Sequence, residues 1–198
     1  LPHEDLLYFA DSGYAPYGGR PEHEIVERSL AVAEFLLQHG VKALVVACNT
    51  ATAAAIKALR AQYPALPLVG VEPGLKPAAA LTQSKVVGVL ATKRTLESAK
   101  FAALRDELAA ATGVRFLSQA CVGLVDQIEK GELQSTETAM LVERYVRPLV
   151  EQGADTLVLG CTHYPFVQAL IESAAAKSDA PRVAIIDKIG RASCRERV

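Results

Sequence analysis

The sequence predicts an α/β protein made of two similar parallel-sheet units, with a site in the cleft between them. Three observations carry this reading. Short apolar, β-branched runs alternate with helical periodicities along most of the chain. The runs are continuously apolar rather than alternating, as in strands covered on both faces. Two of them, "LVVACNT" at 44–50 and "LVLGCTH" at 157–163, end alike on a small residue, a cysteine and a polar pair. Their separation is too great for one βαβ unit and suits two half-molecules.

Residues 6–11 (LLYFAD) read as a first strand. A helix over 22–39 follows, with Val26, Leu30, Ala33 and Leu37 at helical spacing and Gly40 as its C-terminal cap. Residues 43–48 (ALVVAC) read as a strand. The next helix, 51–63, carries Ala55, Ile56, Leu59 and Tyr63 on one face and is stopped by Pro64. A strand at 67–71 leads into "GVEPGLKPAA" (70–79), whose prolines and glycines mark a crossing point between units. Strand 86–91, helix 94–111 and strand 114–118 come next. Two helices follow. In 121–130, Cys121, Leu124, Val125 and Ile128 share a face; in 136–152, Leu141, Tyr145 and Leu149 do, before Gly153. Strand 156–161, helix 165–177 and strand 183–187 complete the pattern, and right-handed crossovers are expected between parallel strands. "KSDAPR" (177–182) reads as a return to the first sheet. The expected division is therefore 1–72 plus 183–187 for the first domain and 73–182 for the second.

The 198 residues carry a formal charge of −1 and are 51% hydrophobic. That is ample for a core and gives no electrostatic reason to expect nucleic acid or an anionic membrane as partner. No apolar run approaches the length of a membrane span. The start has no basic region followed by an apolar stretch, so it does not read as a signal peptide. It also has no Met, and the expectation is that native sequence precedes it. The four cysteines, Cys48, Cys121, Cys161 and Cys194, form no C-x-x-C pair and read as reduced thiols of a cytoplasmic protein. The last eleven residues, "KIGRASCRERV", replace the Ala/Leu/Val background with basic residues and no apolar period. Residues 188–198 are expected to be a non-native fusion.

In open α/β sheets ligands bind at the carboxyl ends of strands. Cys48 and Cys161 stand there, each just before a helix. A helix N-terminus lowers a thiol's pKa and offers free N–H groups to a carboxylate. Asn49, Thr50 and Thr162 can add polar contacts, and His163 is a candidate proton partner for Cys161. Two such ends facing each other place a thiol on each side of one carbon. One thiolate can then remove an α-proton while the opposite thiol delivers one, giving the enantiomer without a cofactor. No Gly-rich cofactor fingerprint is present. The bland readings are a core cysteine for each thiol, half of a zinc site for Cys161 and His163, and solvated surface residues for His3, His23 and His39. Cys121, on an apolar helix face, reads as core.

These segments resemble glutamate racemase, a cofactor-independent enzyme of the aspartate/glutamate racemase superfamily. The resemblance lies in "ALVVACNTATAAAI" and "DTLVLGCTHYP". It extends through "YFADSGYAPYG", "GVEPG", "GVLATKRT" and "SQACVGLVDQIEKGEL", covering nearly everything up to Asp187. It implies an isomerase that makes D-glutamate for peptidoglycan, cell-wall biogenesis and cell shape. It implies no cofactor and no metal. Cys48 and Cys161 match its acid/base cysteines, and Glu129 a carboxylate that tunes the second cysteine and His163. Asn49, Thr50, Thr162 and His163 match substrate-binding positions, Tyr17 and Gly18 a loop that touches substrate, and Thr92 and Thr95 a polar pair near the site. The family's assisting Asp lies in an upstream Asp-Ser-Gly. Asp11 is too close to "PYG" to be that residue, so this chain is expected to lack that helper and turnover. Glutamate is the expected small-molecule partner, and a homodimer is compatible with the pattern. Two other readings stay open: a related thiol racemase acting on aspartate or a hydantoin, and a carboxylate-binding protein without turnover.

Overall fold

The computed structural model describes residues 3–176 and 183–187. The chain alternates helix and strand as its periodicities require. In order these are α1 (Glu22–Gln38), β1 (Leu44–Val46), α2 (Asn49–Gln62), β2 (Leu68–Gly70), α3 (Leu75–Leu81), β3 (Val86–Ala91) and α4 (Lys93–Glu97). Then come α5 (Ala99–Thr112), β4 (Arg115–Ala120), α6 (Leu124–Glu129), α7 (Thr136–Glu151), β5 (Thr156–Leu159), α8 (Gln168–Ala176) and β6 (Ala184–Ile186). Two single 3₁₀ turns, Tyr17–Gly19 and Tyr164–Val167, precede α1 and α8.

The strands form two parallel sheets. β1 pairs with β2, Val45 opposite Val69. The larger sheet has the order β4-β3-β5-β6, with Leu90 opposite both Gln119 and Leu159. Alternation along β3 divides the second unit's core. Val87 and Val89, with Val158 of β5, pack against α3 and α5 through Leu75, Ala78 and Phe101. Leu90, with Leu157 and Leu159, faces α6, α7 and α8 through Leu124, Val146, Leu149 and Ile171. Strands covered on both faces bury every side chain, which is why β3 and β5 read as unbroken apolar runs.

The first sheet departs from that expectation. α1 and α2 cover one face through Ala33, Ala55 and Leu59 against Leu44, but Val45 on the other face is 59% exposed. Residues 6–11 are not a strand. Leu6 is 84% exposed, and Phe9 rests edge-on against Phe35 of α1, ring centroids 5.3 Å apart. An apolar run becomes a strand only where a neighbour accepts its ladder hydrogen bonds, and no described strand lies beside this one.

Other boundaries moved for local reasons. The helix read over 94–111 is two. Ser98 has extended backbone and its Oγ accepts from the Phe101 N–H at 3.2 Å, capping α5 and ending α4. The helix read from 121 begins at Leu124, because Gly123 takes a left-handed φ of 80°. Cys121 is thus in the connection, though buried in the core as expected. α3 occupies the stretch read as a crossing point, with Pro77 in its first turn where no N–H is needed. The strand expected to return to the first sheet, 183–187, does not: β6 pairs with β5, Ile185 opposite Leu157. Hydrogen-bonding and partial burial against the second core decide this, and neither is legible in a three-residue apolar run. The crossing at 177–182 and the tail 188–198, with Cys194, lie outside the described residues.

Candidate active site

The two strand-end cysteines occupy different local settings. Cys48 is the N-cap of α2, with extended backbone, and its Sγ accepts from the Ala51 N–H at 3.5 Å. Sulfur here does what an N-cap oxygen usually does. Cys161 stands one residue, Gly160, beyond the end of β5 and is buried. Its Sγ lies 3.7 Å from His163 Nδ1, and His163 Nε2 lies 2.5 Å from Glu129 Oε1, at the end of α6. The carboxylate favours a proton on Nε2, which leaves Nδ1 as an acceptor facing the thiol. Glu129, His163 and Cys161 thus form a line along which a proton can move.

Burial decides the state of both thiols. Cys48 is partly exposed at the strand end, yet desolvation by the protein around its sulfur raises its pKa, outweighing hydrogen bonds from Ala51 and Thr50 that lower it. Desolvation pushes Cys161 up to about 12, against a lowering from the His163 backbone and with a further rise from Cys48. The expectation that helix N-termini would leave thiolates is corrected. The N–H groups act in that direction but lose to desolvation. Both cysteines are thiols at neutral pH in this state.

Three hydroxyls join the strand ends. Thr50 Oγ1 is 2.9 Å from Thr92 Oγ1 and 3.4 Å from Thr95 Oγ1, and Thr92 donates to Thr95 at 3.0 Å. All three residues are buried. Thr50 lies in the first turn of α2; Thr92 caps α4 just after β3. This cluster ties the first sheet's site turn to the second sheet. Beside it, Asn49 is buried, and its Oδ1 finds no partner among the described residues. Thr162 is half-buried in the turn between Cys161 and His163.

Tyr17 and Gly18 form the 3₁₀ turn before α1. Gly18 lies so close to Thr92 that an added Cβ would stand 3.0 Å from Thr92 Cβ and Cγ2. The Tyr17 hydroxyl donates to Asp11, whose carboxylate also takes the Arg28 guanidinium. Burial by itself raises the Asp11 pKa, but Arg28 and Tyr17 together bring it below the usual carboxylate value. Asp11 thus braces the loop through Tyr17 and Arg28.

The candidate site residues fall into two groups. Cys161, Thr162, His163 and Glu129 stand on the second sheet's side. Thr50, next to Cys48 and Asn49, and Gly18 of the Tyr17–Gly19 turn both reach Thr92, at the end of β3. Sequence reasoning missed two residues. Gly160 passes so close to β3 that an added Cβ would lie 2.8 Å from the Leu90 carbonyl oxygen. Arg94 donates from Nε and Nη2 to the Arg20 carbonyl at 3.2 and 3.0 Å. A glycine directly before a strand-end cysteine was a usable signal for the first; nothing local announced the second.

A family model described as Asp/Glu/hydantoin racemase matches residues 1–190. A glutamate racemase of Methylococcus capsulatus is 58% identical over 176 residues, which is 88% of this chain and 64% of that protein. The chain spans about 64% of the length of the first curated relatives it matches. The solved glutamate racemase of Francisella tularensis, in complex with D-glutamate, superposes with a TM-score of 0.78 at 29% identity, covering 94% of this chain and 67% of that one. Isoform RacE1 from Bacillus anthracis gives 0.74 at 33%, covering 88% and 63%. With its two strand-end cysteines in parallel sheets and a family match along almost its whole length, the chain belongs to the Asp/Glu/hydantoin racemase family.

Proposed function

We propose that this chain carries the two-thiol site of a glutamate racemase, interconverting L- and D-glutamate without a cofactor. The observation that carries the reading is the pairing of Cys48 and Cys161. They sit at carboxyl ends of strands in separate sheets, and the Thr50–Thr92–Thr95 hydroxyls tie the turn after the first to the second sheet. A racemase needs an acid and a base on opposite faces of one carbon, and the two thiols are the groups assigned to those roles.

In this mechanism His163 Nδ1 takes the Cys161 proton and Glu129 balances the imidazolium. The thiolate then removes the α-proton from one face, while the Cys48 S–H gives its proton to the other. The pair ends with Cys161 as the thiol and Cys48 as the thiolate, which is the state the reverse reaction starts from; passage of the His163 proton through solvent to the Cys48 thiolate restores both thiols. High thiol pKa values suit this step, since a desolvated thiolate is a strong base and returns to the neutral form readily. Asn49, Thr50 and Thr162 would hold the substrate's polar groups, with the Tyr17–Gly18 turn and Thr92 and Thr95 closing around them.

The two sheets are the two walls of this site, with the unit boundary near residues 72–73. D-glutamate for peptidoglycan is the proposed product, and the cytoplasm the proposed location. The balanced charge supports a small-molecule partner rather than nucleic acid or membrane. A homodimer is the assembly to test by sedimentation.

The test is L-glutamate incubated with the purified full-length protein in deuterated water, without pyridoxal phosphate. D-glutamate carrying deuterium at Cα is expected. A product that keeps its α-hydrogen, or an absolute need for the cofactor, rules the mechanism out. Turnover of L-aspartate with equal kcat/KM would move the substrate assignment to a neighbouring member of the family.

A further inference from the structure

We propose that Arg94 is a positioning residue for substrate binding: its guanidinium clamps the Tyr17–Gly19 turn against the second sheet's side of the site. This rests on the racemase reading above for its functional consequence, though not for the clamp itself.

The turn is held from two directions. On the α1 side, Arg20 Nε donates to the Tyr14 carbonyl at 2.6 Å, Arg28 sits 3.8 Å above the Tyr14 ring, and Asp11 gathers Arg28 and Tyr17. All these groups come from the segment before α1 or from its first turns. On the other side two residues of the β3–α4 corner make the attachment. Thr92 lies against Gly18, where no side chain would fit without movement. Arg94 places two N–H groups on the Arg20 carbonyl. Arg20 is also the residue whose own N–H closes the turn onto the Tyr17 carbonyl at 3.1 Å. Arg94 therefore grips the peptide that finishes the turn, and through it fixes Tyr17 and Gly18 relative to Thr92 and the hydroxyl cluster behind Asn49.

The contact at Thr92 is van der Waals and resists only compression. The polar bonds to Arg20 resist separation, so without Arg94 the turn keeps its polar bonds on the α1 side and only packing contacts with α2 and α4. Two N–H groups in a fixed planar fork can meet one carbonyl oxygen in this way, whereas a lysine ammonium offers a single mobile charge. Arg94→Met keeps most of the apolar stem and removes the donors; Arg94→Lys keeps the charge and loses the fork.

Hydrogen–deuterium exchange on the full protein, read on peptides covering 14–21, tests the clamp. Kinetics with L-glutamate test its consequence. In Arg94→Met, the Arg20 amide should exchange about tenfold faster, the scale expected for losing charge-assisted hydrogen bonds, with β3 and α5 protected as in the wild type. KM should rise about tenfold with kcat changed less than about twofold and an unaltered pH profile, because the reacting groups are untouched. Arg94→Lys should fall between. Unchanged exchange at 14–21 in both variants overturns the proposal. So does a fall in kcat at constant KM, or loss of protection spreading through β3 and α5, which would make Arg94 a general stabiliser. Exchange needs no turnover, so a wild type that fails to racemise glutamate sinks the racemase reading while the clamp is still judged on exchange.

Discussion

Glu129 and His163, 34 residues apart in the chain, meet with Oε1 2.5 Å from Nε2, and the opposite ring nitrogen faces the Cys161 sulfur. The contact brings the end of α6 to the turn after β5. In the proposed mechanism this contact is the route by which the buried Cys161 thiol gives up its proton.

Glu129→Gln should therefore slow racemisation. The amide keeps a hydrogen bond to His163 but cannot balance an imidazolium. We expect kcat to fall about 10–100-fold, less than the roughly 10²–10⁴-fold associated with a group that itself transfers the proton. KM should change little. Steady-state kinetics in both directions check this; wild-type kcat would show that His163 works without the carboxylate.

Cys48→Ala and Cys161→Ala should each reduce racemisation by at least about 10²–10⁴-fold, because each leaves one face of Cα without an acid or base. Far-UV circular dichroism should stay as in the wild type. Cys121→Ala, in contrast, removes a thiol packed in the core beside Leu124 and Val125. It should keep activity and lose about 0.5–1.5 kcal/mol of stability, the range for deleting one methyl-sized buried group. Chemical denaturation and chiral assay of the three variants separate the roles.

Gly160→Ala should damage both stability and turnover. The new Cβ would lie 2.8 Å from Leu90 O and 2.9 Å from Ala91 Cβ, and Gly160 N–H donates to that same Leu90 oxygen at 2.7 Å. β5 must move away from β3, carrying Cys161 with it. We expect about 1–3 kcal/mol of destabilisation from overpacking, with kcat reduced more than KM is raised. A variant of wild-type melting temperature and kcat would mean the strand end yields without cost.

Acid should weaken the fold partly through Asp155. Burial raises its pKa, but hydrogen bonds from Thr82, the Ser84 and Gln83 N–H groups and Thr156 more than offset this, so the folded value lies below 3.8. A carboxyl whose folded pKa is depressed stabilises above its unfolded pKa, and that contribution disappears as pH falls through the folded one. Asp155→Asn should lose about 1–3 kcal/mol at pH 7, since the loop amides lose a charged acceptor. The difference from wild type should shrink as pH drops below about 4. A pH-independent difference would show that shape rather than charge holds the loop.

Much of the site was legible because its signals are local. A continuous apolar run fixes a doubly covered strand, and β3 and β5 appeared where they were read. A cysteine and polar pair directly after such a run must stand at the strand's carboxyl end, which placed Cys48 and Cys161 correctly. The helix-forming faces of α1, α2 and α7 were equally plain. The sequence by itself thus determined the α/β class, most elements and the two thiol-bearing corners.

The tertiary structure decided what depends on neighbours distant in the chain. Residues 6–11 have strand composition, but a strand exists only with a pairing partner. β6 joined the second sheet because its ladder bonds go to β5, a choice its three apolar residues do not encode. The thiol pKa values followed desolvation, which reflects everything packed around the sulfur, and so overrode the helix N-termini visible in the sequence. The Glu129–His163 contact and Arg94's grip on Arg20 are likewise meetings of side chains and backbone that only folding brings within hydrogen-bonding distance.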